Sequence, residues 1–348
     1  MDLLQELTET PSVPGREDRI RKVIQKHTKG LFDESHVDVM GSFIGVRKPR
    51  PAGKKTTSRK KTTRVMIAAH MDQIGFLVKH IDAKGFLRVN PVGGFDTRNL
   101  FARVVNVSTK SGDLPGVMNP AGKPIHIATD DEKKKVPEVS EFSVDLGLTA
   151  AQVNRKVRIG DMVTIATQFQ RVGDNVVSQC LDNRIGCWAA IRAMQNLKKH
   201  DCEIHCVWTV QEEVGLRGAG PAAFDVEPDI AISCDTTLCC DTPGVPEDQH
   251  INTMGHGVAL KVMDSSMITD IKLLEELEAV ARRKKIKHQR SILPRGGQDG
   301  GAIQRSRYGV RVGVLACPVR YIHTITEMSA LTDIHAYRNL LTAYLEQL

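Results

Sequence analysis

No apolar run in the sequence approaches the roughly 20 residues a membrane-spanning helix requires. A helical membrane protein is therefore not expected. The opening MDLLQELTETPSVPGRED has neither a basic leader nor an apolar stretch behind it, so no secretory signal is expected and a cytoplasmic location is. The 8 cysteines, at 180, 187, 202, 206, 234, 239, 240 and 317, include no C-x-x-C pair, which argues against a zinc knuckle. Aromatic residues are scarce, at 4%. Internal repeats are absent. What remains is an ordinary globular composition, 41% hydrophobic and 26% charged. A chain of 348 residues can bury a full core, as one large domain with an insertion or as two domains.

The net charge of +7 at first suggests an anionic partner. Nine of the positive charges, however, lie in residues 47–64, RKPRPAGKKTTSRKKTTR, which contain no acid. The rest of the chain is near neutral. No apolar periodicity and no aromatic residue interrupts the run, so a solvated loop is expected and a base-stacking nucleic-acid surface is not.

Apolar periodicity predicts a helix over 16–29 and a short buried strand over 65–69. From about 74 to 166 short β-like runs alternate with Gly and Pro turns, as in FLVKHI, ARVVNVST and GDMVTIAT, with room for one short helix near 149–154. Beyond 170 the pattern becomes α/β. Helices are expected at about 182–199, 270–285 and 329–347, with strands at 203–210, 229–234, 258–263 and 311–316. The simplest architecture is an α/β domain split by an inserted all-β module.

The ends of the buried strands carry the chemistry. After 65–69 come His70 and Asp72. Asp182 stands just before a helix, and Glu212 and Glu213 follow 203–210. Asp235 follows 229–234, and His323 lies in the segment after 311–316. Any one of these alone reads as a cap, a turn or a solvated end; Asp182, for instance, is a good helix N-cap. Together they are imidazoles and carboxylates at strand ends, where open α/β sheets bind ligands. That donor set suits zinc, cobalt or manganese. It has enough carboxylates for two ions and one free general base. An irregular strand end would let both Glu212 and Glu213 face the site, which a regular strand forbids. His126 remains open between a turn residue and a contribution to a site here or in a neighbouring subunit.

The segments AAHMDQIGFLV, CLDNRIGC, TVQEEVGLRGA, SCDTT, GGQDGGAI and PVRYIHT resemble, in this order, those of the cytoplasmic di-metal aminopeptidases. The resemblance is to the tetrahedral family that includes glutamyl and deblocking aminopeptidases, some relatives of which carry an endoglucanase label. It runs from about residue 3 to the C-terminus and leaves out the basic segment. It implies an α/β fold: a three-layer catalytic domain with a mixed central sheet, formed by 1–73 plus 167–348. This is interrupted by a small β-barrel-like dimerisation domain at 74–166. It further implies two divalent metal ions per subunit, zinc first, with cobalt or manganese as substitutes. His70 and Asp235 would hold the first ion, Glu213 and His323 the second, and Asp182 would bridge them. Glu212 would be the general base, and Asp72 would orient His70. The implied substrates are peptides with a free N-terminus, and the implied assembly is a homo-oligomer, dimers building a dodecamer; no membrane or nucleic-acid partner is implied. Gln73 and Gln298 depart from the family's usual Glu and Thr, and Gln298 is expected near the substrate pocket. A deacylase of small amino-acid conjugates would use the same ligands. A glycosidase using Glu212 and Glu213 would leave both histidines unexplained. A binding protein acting through the basic loop would leave the whole ligand set unexplained.

Overall fold

The computed structural model describes residues 1–51 and 61–348. Its centre is a sheet of eight strands in the order Glu34–Val37, Phe43–Arg47, Glu203–Thr209, Arg64–His70, Ile230–Leu238, Arg311–Val319, Val258–Met263 and His288–Ile292. The four strands from Glu203–Thr209 to Arg311–Val319 run parallel, so their carboxyl ends share one edge. Their neighbours on both sides pair with them antiparallel, which makes the sheet mixed.

Alternation along each strand assigns side chains to two faces. In Arg64–His70, Val65, Ile67 and Ala69 face one core, and Met66 and Ala68 face the other. The larger core lies under helices Leu181–Asn196, Ile271–Arg283 and Leu331–Leu345, which contribute Trp188, Leu277 and Tyr337. Trp208 fills its edge, its ring 5.5 Å from Phe43 and 6.0 Å from Phe32. The smaller core lies under the short helices Ala219–Val226 and Gly300–Gln304. The arrangement is three-layered. Burying each such large apolar side chain contributes about 1.5–3 kcal/mol.

The insertion follows the strand ending at His70. Six strands close a barrel in the order Gly75–Ile81, Leu87–Val92, Phe142–Asp145, Gly112–Pro120, Arg103–Thr109 and Met162–Ile165. It encloses an apolar cluster in which Phe76, Val78, Leu87, Val105, Val107, Phe142 and Val163 are buried. The chain enters at Gly75, where a Cβ would collide with the side chain of Val13. That glycine lets the barrel sit directly against the N-terminal turn.

The helices and strands expected from periodicity form within a few residues of their expected limits. The basic segment divides. Arg47 is not solvated: it ends a strand, is 6% exposed, and donates to the carbonyls of Met194 and Leu197 at 2.6 and 2.7 Å. Lys61 pairs with Asp229, and Arg64 begins the next strand. Lys48 pairs with Glu34 and Arg50 with Asp33, and residues 52–60 of the expected loop lie outside the described residues. Among the described residues, no helix is long and apolar enough to cross a membrane.

Candidate metal centre

The shared carboxyl edge of the parallel strands gathers the expected residues. His70 is the last residue of its strand and lies in register with Thr209, so Glu212 and Glu213 emerge beside it. Asp235 sits inside its strand, level with Ala316. Asp182 reaches the edge because the backbone at Asp182 and Asn183 is not helical. Asn183, not Asp182, caps the helix: its Oδ1 accepts the Gly186 N–H at 3.0 Å, and its Nδ2 donates to the Cys234 carbonyl at 2.7 Å. Capping thus falls to its neighbour, and the carboxylate of Asp182 turns to the histidines of the centre.

The six side chains form two overlapping groups. Asp182 Oδ1 lies 3.2 Å from His70 Nε2, and Asp235 Oδ1 lies 3.7 Å from the same nitrogen. The other oxygen of Asp182, Oδ2, lies 3.5 Å from His323 Nε2, which is also 3.5 Å from Glu213 Oε2. One ligand atom each from His70, Asp182 and Glu213 all lie within 4.8 Å of one another, spacing that suits a metal ion. Glu212 Oε2 is 3.9 Å from His70 Nε2. His323 Nδ1 faces the carbonyl of Gly94, in the insertion, at 3.1 Å, which fixes Nε2 as the inward nitrogen.

The loop after Glu203–Thr209 is irregular in the required way. Gln211 has a left-handed backbone, with φ at 57°. That conformation breaks the strand alternation, so both following glutamates turn inward. Asp72 holds them there. Its carboxylate accepts the backbone N–H of Glu212 and of Glu213, each at 3.1 Å, whereas its Oδ1 is 3.6 Å from His70 Nδ1.

Two buried acids escaped the sequence reading. Glu327 accepts the backbone N–H of His323 at 2.7 Å and of Asp182 at 3.0 Å, fixing two elements of the centre at once. Asp299 accepts a hydrogen bond from Thr209 Oγ1 and is 2% exposed. Neither follows an apolar run; the only signal for Asp299 was its place in GGQDGG. Gln298 lies beside the cleft, but its side chain points away from it. It is fully buried, bonded to Ser233 and, at 2.7 Å, to the Gly300 N–H, while Gly296 and Gly297 line the cleft. Gln73 accepts from Arg184 at 3.1 Å, behind the centre. His126 is exposed and does not line the cleft.

Burial pushes Glu213 up to about 8. Burial and the charge of Asp182 push Glu327 up to about 8. Asp299 rises to about 7, again chiefly through burial. Burial opposes protonation of His323, yet its contacts with Asp182 and Glu213 hold it at about 10. His70 is raised in the same way: burial opposes, and Glu212, Asp182 and Asp235 outweigh it. All of these groups hold protons more tightly than usual because buried carboxylates outnumber positive charges. A divalent cation would relieve that imbalance, and two imidazoles with carboxylates are a fitting donor set. The centre opens into a cleft of about 480 Å³, walled by Leu216, Leu238, Lys261, Leu293, Arg295 and Ile322 among others.

Comparison with known proteins agrees with this geometry. The family model for the M42 glutamyl aminopeptidases matches residues 52–340. A putative aminopeptidase of Acetivibrio thermocellus is 38% identical over 96% of this chain and 94% of its own length. An aminopeptidase structure from the archaeon Desulfurococcus kamchatkensis superposes with a TM-score of 0.92 at 34% identity, covering 100% of this chain and 94% of that one. The TET1 peptidase of Pyrococcus horikoshii, which can assemble into a tetrahedron or a large octahedral shell, gives 0.86 at 29% identity, covering 100% and 99%. Strand-end imidazoles and carboxylates at metal-binding distances, together with these matches along almost the whole chain, establish that the protein belongs to the M42 glutamyl aminopeptidase family and is a metal-dependent aminopeptidase.

Proposed function

We propose that the centre holds two divalent cations and removes the first residue of peptides that have a free amino terminus. His70 and Asp235 serve one position, Glu213 and His323 the other, and Asp182 serves both. The observation that carries this reading is Asp182 itself, whose two oxygens face different histidines at 3.2 and 3.5 Å. Zinc is the first choice of ion, with cobalt or manganese as substitutes.

Bound divalent ions at such a centre supply Lewis-acid polarisation of a carbonyl and an acidified water. The chain's own residues do the rest. Glu212, 9% exposed and beside His70, is the general base. It takes the proton of the attacking water and delivers it to the amine of the departing peptide. Asp72 keeps Glu212 and Glu213 aimed inward through their amides. Cleft carboxylates receive the substrate's free ammonium group. The leucines and Ile322 of the cleft keep water from competing around the scissile bond.

The same reading divides the chain into a catalytic part, 1–73 plus 167–348, and a barrel, 74–166, through which subunits pair. Dimers then build a dodecamer in the cytoplasm. Exposed apolar residues on the barrel, Phe101, Val104 and Val117, support pairing there.

The test is hydrolysis of an aminoacyl-anilide panel by metal-depleted protein with zinc, cobalt or manganese restored. Release from free-amine substrates but not N-acetylated ones is expected, and Glu212→Gln should slow it about 10²–10⁴-fold. Release of acetate from the N-acetylated substrates, with no anilide freed from the free-amine ones, would instead make the protein a deacylase.

A further inference from the structure

The first turn of the chain reaches the base-bearing loop. Gln211, the left-handed residue that aims Glu212 and Glu213, donates its N–H to Glu17 Oε1 at 3.1 Å. The same oxygen accepts the N–H of Gly15 at 2.8 Å. Asp72 takes the next two amides. Two buried carboxylates from distant parts of the chain therefore hold three successive amides, 211, 212 and 213.

We propose that Glu17 is a positioning residue for the general base, acting through Gln211; this rests on the reading of Glu212 as that base. The turn around Glu17 is built for the task. Gly15 has φ at 77°, a conformation glycine adopts freely, and Arg16 N–H donates to the Val13 carbonyl at 2.8 Å. Ser12 fastens the turn to the strand end that bears His70. Its Oγ donates to the Met71 carbonyl at 2.8 Å, and its carbonyl accepts the Gln73 N–H at 3.0 Å. Arg184 locks the same junction, donating to Ser12 Oγ at 2.8 Å and Gln73 Oε1 at 3.1 Å. Glu17 is thus tied rigidly to the element carrying His70 and Asp72, and from there it holds the loop carrying Glu212.

A carboxylate that is 5% exposed and bonded to backbone amides is a costly way to build a turn. Its presence is explained by what happens without it. The part-buried Gln211 N–H would be left unpaired. Gln211 would be free to relax towards extended backbone, and strand alternation would then carry Glu212 and Glu213 to opposite faces.

The experiment compares wild type, Glu17→Ala and Glu17→Gln as full-length, metal-loaded protein. Steady-state kinetics are read beside hydrogen exchange of the segment 209–218. Misplacement by about 1 Å costs on the order of 10²-fold in rate, so Glu17→Ala should lose about 10–100-fold in kcat with KM little changed. Amide protection around Gln211 should fall with it. Glu17→Gln, which still offers an oxygen to the amide, should restore most of both. Should Glu17→Ala fail to fold, Glu17→Asp carries the test, since it withdraws the acceptor by one methylene and should lower kcat and protection together. Glu6→Gln, which loosens the exposed tie to Lys26 and His27 between the first two helices, serves as a stability control and should leave kcat unchanged. Wild-type kcat and wild-type exchange in Glu17→Ala or Glu17→Asp overturn the proposal. If wild type hydrolyses no free-amine substrate, the proposed function fails, while the exchange comparison still decides the clamp.

Discussion

The carboxyl edge of the central sheet and the inserted barrel are both made of short β-strands, yet they bury opposite things. The barrel closes around an apolar cluster that includes Phe76, Val105 and Phe142. The sheet edge buries His70, Asp72, Asp182, Glu212, Asp235, Asp299 and Glu327 within one small volume. Closure explains the first. A barrel satisfies its backbone internally and has only side chains to pack. The second follows from parallel strands that stop together, leaving backbone amides and side chains facing one another across the edge. The barrel packs apolar side chains against one another, whereas the edge packs more carboxylates than positive charges.

The comparison breaks most sharply at Glu212. Glu212→Gln removes the proton acceptor while keeping the shape, and kcat should drop about 10²–10⁴-fold, the usual worth of a general base. Melting temperature should hold or rise, because a buried acid has been neutralised. In the barrel the relation reverses. Phe142→Ala opens a cavity and should cost about 3–5 kcal/mol of stability, read by denaturant unfolding, while each folded molecule still binds its cations.

A smaller effect sharpens the difference through pH. Burial lifts Glu213 and Glu327 to about 8 and Asp299 to about 7, well above the ordinary carboxylate range. A carboxyl raised by folding contributes stability below its unfolded pKa, and that contribution disappears as pH rises through the folded value. Metal-free protein should therefore melt lower as pH climbs from about 5 to about 8. His323, raised to about 10, contributes in the same direction at higher pH. Restored cation should cancel most of the slope. A metal-free melting temperature that is flat over this range would mean the edge is not short of positive charge.

The least disruptive change tests the barrel's outer face. Val104 and Val117 are cross-strand partners, 54% and 46% exposed. Replacing both with lysine should leave melting nearly unchanged, since surface substitutions stay within about ±0.5 kcal/mol. Light scattering should nevertheless show a smaller particle if subunits pair through this face.

The strand-end residues were legible because each follows an apolar run long enough to mark a buried strand. His70, Asp235 and the pair Glu212–Glu213 are of this kind. Glu327 and Asp299 were not, because Glu327 begins a strand of four residues and Asp299 precedes a helix of five, both too short for a period to register. Edge strands such as Glu34–Val37, with every residue exposed, gave no pattern either. The direction of the Gln298 side chain was not legible for a different reason. Adjacency to cleft glycines says nothing about direction, and the side chain turns inward to Ser233. The clamp at Glu17 joins residues 194 apart in sequence, a pairing only the fold reveals.

The most direct test is the number of cations bound per chain, measured by titrating metal-depleted wild type and Asp182→Asn with zinc. Asp182 facing both histidines predicts two per chain in wild type and weakened binding at both positions in the variant. A single cation in wild type, or two retained undiminished in Asp182→Asn, would contradict the shared-carboxylate centre.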